Sequence, residues 1–348
     1  MTYPRVSTGS VPRILVHEYV TGGGWPEPKL PAGLADEALA IHQAVLADFR
    51  AWGMVHTTTT LDSRLRGVRL PADRVIPLQP EQHQRTLLDL AVQSDAALII
   101  APESDGVHGR ILSSLEAAGV PLLGASATAV AIAADKWVSY HLLRQNAIPT
   151  PETWLLNGEN ARPTAETLSR SVVIKPRHGA GAEGVGLVDG PASLPQVLAH
   201  TPPNTGTHLL QTYVPGIHAS VSLLSNGERA VPLSLNRQEI QIGEHFVYRG
   251  GQIPLEHPRQ QQALALAQQA VSLVPGLRGY IGVDLILAPE GCTVIEINPR
   301  LTTSYVGLRR IVNLNLAQAI WQACQAGDLP NDVVLTGSVS FGKDGTHA

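Results

Sequence analysis

A glycine-rich loop with a strand on each side constrains this chain more than any other feature. Gly179-Ala-Gly181-Ala-Glu183-Gly184 has the spacing G-x-G-x-x-G, which in dinucleotide-binding folds follows a strand and opens a helix. Here Ser171-Val-Val-Ile-Lys175-Pro reads as a strand before the loop, and Gly184-Val-Gly-Leu-Val-Asp189 as another strand after it. No Gly-Lys-Ser/Thr is present, so the loop is not a P-loop either. What remains is a flexible hairpin that can fold over a polyphosphate with its backbone N–H groups toward the oxygens. Taken alone, an ordinary glycine-rich turn would be the favoured explanation of these residues. Lys175 shifts the balance, because a lysine following Val-Val-Ile is costly to bury without a partner, and a phosphate supplies one. Lys136, in Asp135-Lys136-Trp137, reads on local grounds as a solvated helix lysine.

A more specific arrangement lies near the C-terminus. Gly279-Tyr-Ile-Gly282-Val-Asp284-Leu-Ile-Leu and Thr293-Val-Ile-Glu296-Ile-Asn298-Pro-Arg300 read as strands around Pro289-Glu290-Gly291, a three-residue hairpin turn with glycine last. Symmetry about Glu290 sets Asp284 opposite Glu296 and Gly282 opposite Asn298, all on one face by alternation. Opposed carboxylates repel, and a divalent cation between them reverses the cost. Asp, Glu and Asn are hard oxygen ligands suited to Mg²⁺ held jointly with nucleotide phosphates, and Gly282 leaves room beside them. The competing explanation is a solvent-facing polar hairpin. Arg300, just beyond, is placed to bind a transferring phosphoryl group or an oxyanion. Leu209-Leu-Gln211-Thr-Tyr213-Val214-Pro-Gly216 can form a base slot, with backbone near Tyr213 and Val214 reading the adenine edge and Gln211 facing the ribose.

The rest of the 348 residues fits an enzyme of about two or three domains. Alternation of Arg13–Val20, a helical pattern over 34–52, another near 87–92, the run Ala96–Ala101, a helix near 109–118 and a strand at Val120–Gly124 predicts a parallel α/β domain. An alanine-rich segment, 125–146, ends at Ile148-Pro149-Thr-Pro151, where a boundary is expected. Beyond the glycine loop strands dominate, with helices over 258–274 and 313–326. Residues 1–12 read as a loose arm and 338–348 as a frayed tail. A net charge of -4 gives no general pull toward nucleic acid or anionic membrane. No segment reaches about 18 uninterrupted apolar residues, and Cys292 and Cys324 lack metal or disulfide spacing. The expectation is a soluble, cytoplasmic protein. No H-E-x-x-H or G-x-S-x-G competes with the phosphate reading.

In this order, Asp135-Lys136, Val-Ile-Lys175-Pro with its glycine loop, Gln211-x-Tyr-Val, Gly-x-Asp284 and Glu296-x-Asn298-Pro-Arg300 resemble the ATP-grasp superfamily over about residues 12–325. The resemblance implies α/β and α+β architecture. A pre-ATP-grasp parallel α/β domain (12–128) would precede a lid subdomain (129–206), a core subdomain with the metal site (207–330) and a tail (331–348). It implies that ATP is bound by Lys136, Lys175, Gly179, Gly181, Glu183, Gly184, Gln211, Tyr213 and Val214. Asp284, Glu296 and Asn298 would hold Mg²⁺, two ions in all, for which Mn²⁺ can substitute, and Lys175 and Arg300 would be catalytic. Gln211 departs from the glutamate often found at its position in the superfamily.

A narrower likeness rests on His17-Glu18-Tyr-Val-Thr-Gly22-Gly23-Gly24, Tyr248-Arg249-Gly250-Gly251 and Asn298-Pro-Arg-Leu-Thr-Thr303-Ser304-Tyr. These loops look like the tyramine–glutamate ligases of methanofuran-type one-carbon cofactor biosynthesis. The implied reaction joins the side-chain carboxylate of glutamate to tyramine or a similar aromatic amine through an acyl-phosphate. Glu18 and Gly23 would serve the substrates, with Arg237 or Arg249 gripping the α-carboxylate by a bidentate fork. The partners expected are a small carboxylate and a small amine, and a homodimer is compatible with the sequence. The alternatives are another amino-acid or dipeptide ligase, of the D-alanine–D-alanine type, and a nucleotide sensor without turnover.

Overall fold

A computed structural model describes residues 11–156, 171–179, 181–188, 206–243 and 245–346. The loose arm expected over 1–12, apart from its last two residues, lies outside these, as does Asp189. The chain begins with β1 (Arg13–Glu18), α1 (Ala32–Trp52), β2 (His56–Asp62), β3 (Arg74–Leu78), α2 (His83–Val92), β4 (Ala96–Ile100) and α3 (Val107–Ala117). The strands form a parallel sheet in the order β3-β2-β1-β4. The expected strand at Val120–Gly124 reduces to a single bridge between Ala97 and Leu122.

No apolar pattern marks β2, His-Thr-Thr-Thr-Thr-Leu-Asp, which sequence inspection passes over. Its β-branched residues suit a strand, but its buried threonines need partners. Thr57 bonds to Asp73, Thr59 donates to the Val16 carbonyl and meets His42, and Thr60 meets His17. Parallel strands are usually apolar on both faces; this one is buried because its hydroxyls are satisfied.

The alanine-rich segment breaks into α4 (Ala127–Ala134) and α5 (Lys136–Gln145). Asp135 ends one and caps the next, accepting from the Trp137 and Val138 amides at 3.0 and 3.2 Å. A small antiparallel sheet follows, built of β5 (Thr153–Leu155), β6 (Val172–Pro176), β7 (Gly186–Val188) and β8 (His208–Thr212) in the order β5-β8-β6-β7. β8 lies past the expected 206/207 boundary yet pairs within this sheet.

The remaining elements are β9 (Ile217–Asn226), β10 (Ala230–Gln241), β11 (Val247–Ile253), α6 (Gln260–Ser272), β12 (Arg278–Ala288), β13 (Gly291–Asn298), α7 (Ser304–Leu308), α8 (Leu316–Gln325) and β14 (Val339–Gly342). The six strands form one antiparallel sheet, β13-β12-β9-β10-β11-β14. The expected frayed tail is corrected here. Val339–Gly342 pairs with β11, and Phe341 is buried against Gly251.

The parallel domain and the large sheet share their core. Trp52 of α1, beside Phe49, meets Trp321 of α8, and Asp48 accepts from Tyr305 at 2.7 Å and from Arg309 at 2.5 and 2.9 Å. The small sheet has a separate core of Val172, Ile174, Val188 and Leu210, with Trp154 and Leu156 packed on it. Among the described residues no helix is long and apolar enough to cross a membrane.

Three buried histidines and the half-buried His83 in the parallel domain predict a pH response. Burial pushes His42 down to about 3, His83 and His108 to about 4, and His17 well below the ordinary value. Each binds its proton more readily when unfolded, so its stability contribution is full above pH 6.5 and is lost as pH falls toward the folded value. Between pH 7 and 5, wild type should lose about 2 kcal/mol more than His42→Gln in urea unfolding; equal losses would refute a neutral buried His42.

Candidate active site

The small sheet and the large sheet face each other across a cleft lined by both lysines, the glycine loop and the β12–β13 face. Asp284 pairs with Glu296 and Gly282 with Asn298, as symmetry about Glu290 predicts, though the route differs. Ala288 pairs with Gly291, so the turn holds only Pro289 and Glu290. A bulge that leaves Ile295 unpaired between Val294 and Glu296 then adds the missing residue and restores the register. Gly282 does not leave open room, since a Cβ there would meet Thr302 Cγ2 at 2.7 Å.

Asp284 accepts from Gln238 Nε2 at 3.1 Å and Asn298 Nδ2 at 3.2 Å. Burial and the neighbouring Glu296 charge push its carboxyl up to about 8. Glu296 is pulled the other way. Burial raises it, but Lys136, whose Nζ lies 3.3 Å away, and Lys175 outweigh that and hold it below its ordinary value. Two half-buried acids sharing too little positive charge are what a divalent cation would relieve, and Asp284, Glu296 and Asn298 could hold one. Among the described residues there is no cluster of three His, Cys, Asp or Glu that could hold a metal; the third ligand here would be the amide of Asn298.

The lysines are fixed by different means. Lys136 follows the Asp135 cap and donates to the Gly179 carbonyl at 2.8 Å, tying α5 to the glycine loop. Asp135 also grips Arg177 at 2.6 and 2.8 Å, at the start of that loop. Lys175, on β6, is buried and donates to Gln211 Oε1 at 2.8 Å, while Gln211 Nε2 donates to Thr153. Burial, with Lys136 adding to it, pushes Lys175 down to about 8. Gln211 therefore orients the lysine, one bond at its amide oxygen and one at its amide nitrogen, while it also lines the cleft. The uncharged glutamine suits this, leaving the ammonium to answer the acids and an incoming phosphate.

Tyr213 and Val214 line the cleft as expected, with His218 and Phe246 extending the slot. The last two rings meet edge to face at 6.2 Å, and buried His218 Nε2 has no partner. Gly179, Gly181 and Glu183 also line it, whereas Gly184 turns back over Pro176. Arg300 reaches the cleft but is gripped by Glu103 at 2.8 and 3.0 Å, so its orientation is set from the parallel domain.

The residues expected to serve the substrates do not line the cleft. Glu18 is buried beneath the Val20–Gly24 turn, accepting from the Val20 amide at 3.1 Å and from the Thr21 amide and hydroxyl, each at 2.6 Å. Gly23 sits in that turn at φ 91° against Leu78. Arg237 pairs with Glu239 at 2.8 Å, and Arg249 donates to Gln241. Both arginines are exposed on the face opposite the cleft, because strand alternation sends their neighbours Gln238 and Tyr248 inward. Gln238 and Tyr248 could have been found by alternation along β10 and β11. Glu37 could not: it comes from α1, is hydrogen-bonded by the Thr303 hydroxyl, and is raised by burial. It brings a carboxylate to the same cleft.

The profile of the ATP-grasp domain matches residues 133–304, and that of the pre ATP-grasp 3 domain matches residues 55–130. A solved ATP-grasp superfamily protein from Archaeoglobus fulgidus superposes with a TM-score of 0.68 and 28% identity, over 94% of this chain and 91% of that one. The chain belongs to the ATP-grasp superfamily. Among curated proteins it is similar to the tyramine–L-glutamate ligase of Methanocaldococcus jannaschii, with 32% identity over 65% of this chain and 61% of that protein. It is also similar to the enzyme of the same name from Methanocaldococcus fervens, 33% identical over 62% of each. The matched region spans about three-fifths of these relatives' length.

Closure of the loop over nucleotide has a direct test. Gly181 has φ 65°, a conformation that a β-branched residue resists. Gly181→Val should raise the KM for ATP about tenfold or more, a cost of the order of 1–3 kcal/mol. In the wild type, MgATP should slow protease nicking within 178–184; nicking indifferent to nucleotide would show that the hairpin does not close on it.

Proposed function

We propose that the protein is an ATP-dependent carboxylate–amine ligase that works through an acyl-phosphate. The observation that carries this reading is the opposed, half-buried pair Asp284 and Glu296 with Asn298, facing Lys136 and Lys175 across a single cleft. Such a site neutralises and positions phosphates and contains no activated serine or cysteine. Positioning and charge neutralisation are what phosphoryl transfer demands.

A carboxylate oxygen attacks the γ-phosphorus, and the bond to the bridging oxygen breaks to release ADP. Lys136 and Lys175 neutralise phosphate oxygens from the lid side, with Lys175 held in register by Gln211. Asp284, Glu296 and Asn298 would hold divalent metal, which supplies charge neutralisation to the polyphosphate when bound. An amine nitrogen then attacks the acyl carbon and loses a proton, and the carbon–oxygen bond to phosphate breaks. Arg300, braced by Glu103, stabilises the oxyanion of the tetrahedral intermediate. The glycine hairpin excludes water that would hydrolyse the acyl-phosphate.

The finer proposal is that the carboxylate is the side chain of glutamate and the amine is tyramine or a close aromatic amine. Similarity to the tyramine–L-glutamate ligases supports it. Arg237 and Arg249 no longer do, since they face away from the cleft; Glu37 and Tyr248 are the groups available to meet a polar substrate there.

Incubation with MgATP, glutamate and tyramine should release ADP and give γ-glutamyltyramine by mass spectrometry. Asp284→Asn and Glu296→Gln should each lower turnover at least about a hundredfold, the scale of several kcal/mol of lost charge stabilisation, with the unfolding transition retained. Near-normal turnover in both variants would sink the metal assignment. ADP release with another amino-acid pair but not with glutamate would leave the ligase and remove the substrate.

A further inference from the structure

A second groove runs between α2, α3 and α4 of the parallel domain. Its walls are Leu87 and Leu88 of α2, Val107 and Ile111 of α3, and Val130 and Ala131 of α4. Tyr19 and His83 add an aromatic surface, their rings edge to face at 5.5 Å. Glu103 and Asp135 also line the groove, as does Arg110, whose guanidinium donates to the Asp105 carbonyl. The groove thus combines an apolar body with a polar end in which Glu103 is paired with Arg300 and Asp135 with Arg177.

Its position relative to the phosphate cleft is fixed by contacts across a seam. Glu103 of the groove grips Arg300 of the cleft at 2.8 and 3.0 Å. Asp135 of the groove immediately precedes Lys136 of the cleft, and His178, in the groove lining, immediately precedes Gly179 of the loop. The polar end of the groove therefore adjoins the cleft, with the Glu103–Arg300 pair between the two. At this seam His108 supplies a second, independent sign of a ligand. It is fully buried and lines the groove, and its Nδ1 has no hydrogen-bond partner. Buried polar atoms are nearly always satisfied, and an imidazole nitrogen with a free lone pair can accept from an ammonium.

We propose that this groove is the acceptor subsite, taking a primary amine with a compact aryl or alkyl body along α2–α4 and its nitrogen toward Glu103 and His108. The assignment rests on the ligase reading above and deepens it, since it places the attacking nitrogen beside Arg300 and the acyl carbon. The apolar walls select amines with a hydrophobic body, and the remaining lone pairs of the Glu103 carboxylate and His108 can accept from the ammonium that arrives from water. One proton passes to solvent water to leave the free amine, and the departing phosphate takes the second as the carbon–nitrogen bond forms.

The experiment uses the full chain and phenethylamine as probe. Ala131 is exposed on the groove wall, so Ala131→Trp fills the groove without entering the core. Ligand-observed NMR should detect phenethylamine on the wild type and at least about tenfold weaker binding to the variant. In parallel, hydroxylamine traps acyl-phosphate as a hydroxamate and is too small to need the walls. The ratio of kcat/KM for phenethylamine to that for hydroxylamine should fall at least about tenfold in Ala131→Trp. Phenethylamine that binds both proteins equally, or neither, overturns the groove assignment. Absence of hydroxamate from the wild type with glutamate and the other amino acids overturns the ligase reading instead, and the binding measurement still decides the groove.

Discussion

Everything in the cleft answers to a single electrostatic problem: Asp284 and Glu296 face each other on adjacent strands, both half-buried at the base of the cleft. Like charges in that position repel strongly where the dielectric is low. The fold meets the cost piecemeal. Lys136 sits against Glu296, and the amides of Gln238 and Asn298 donate to Asp284. Those partners come from α5, β10 and β13, so the acid pair draws together elements that lie far apart in sequence. The lysines in turn need holding, and Gln211, Gly179 and the Asp135–Arg177 pair hold them or the loop beside them. The geometry of the small sheet relative to the large one is thus partly set by charge.

Much of this was legible in the sequence. The pairing of Asp284 with Glu296 follows from counting along a hairpin, and it survives an error in the turn because the bulge at Ile295 compensates for it. The strand–loop–strand setting of the glycines was visible for the same reason: strands advertise themselves by apolar runs, and β6 is one. Where a buried strand is polar, the signal fails. Nothing in the pattern of β2 says that Thr57, Thr59 and Thr60 will find Asp73, His42 and His17, because those partners are tertiary.

The substrate side was read less well. Arg237 and Arg249 carry the charge a free amino acid would need, but chemistry without direction is not a site. One residue along each strand, Gln238 and Tyr248 face the cleft instead. Glu18 shows the other failure. Its place after the first strand suggests a ligand contact, while the structure spends the carboxylate on amides of its own turn. Glu37 meets Thr303 across more than two hundred residues of chain, and no local pattern reports such a meeting.

The unequal division of the core has a consequence for how this chain can be cut. Sequence profiles separate it near residue 130, but apolar packing does not. Phe49, Trp52 and Trp321 belong to one interior, and Asp48 of α1 is bonded to Tyr305 and Arg309 beyond the large sheet. Severed at that point, the front fragment would expose Phe49 and Trp52, and the rear fragment would leave Arg309 without its carboxylate. The small sheet stands apart, with Val172, Ile174, Val188 and Leu210 enclosed among themselves. It is therefore the small sheet, and not the parallel domain, that behaves as an interchangeable part: recombination between relatives should tolerate its replacement as a block and reject a crossover at the profile boundary.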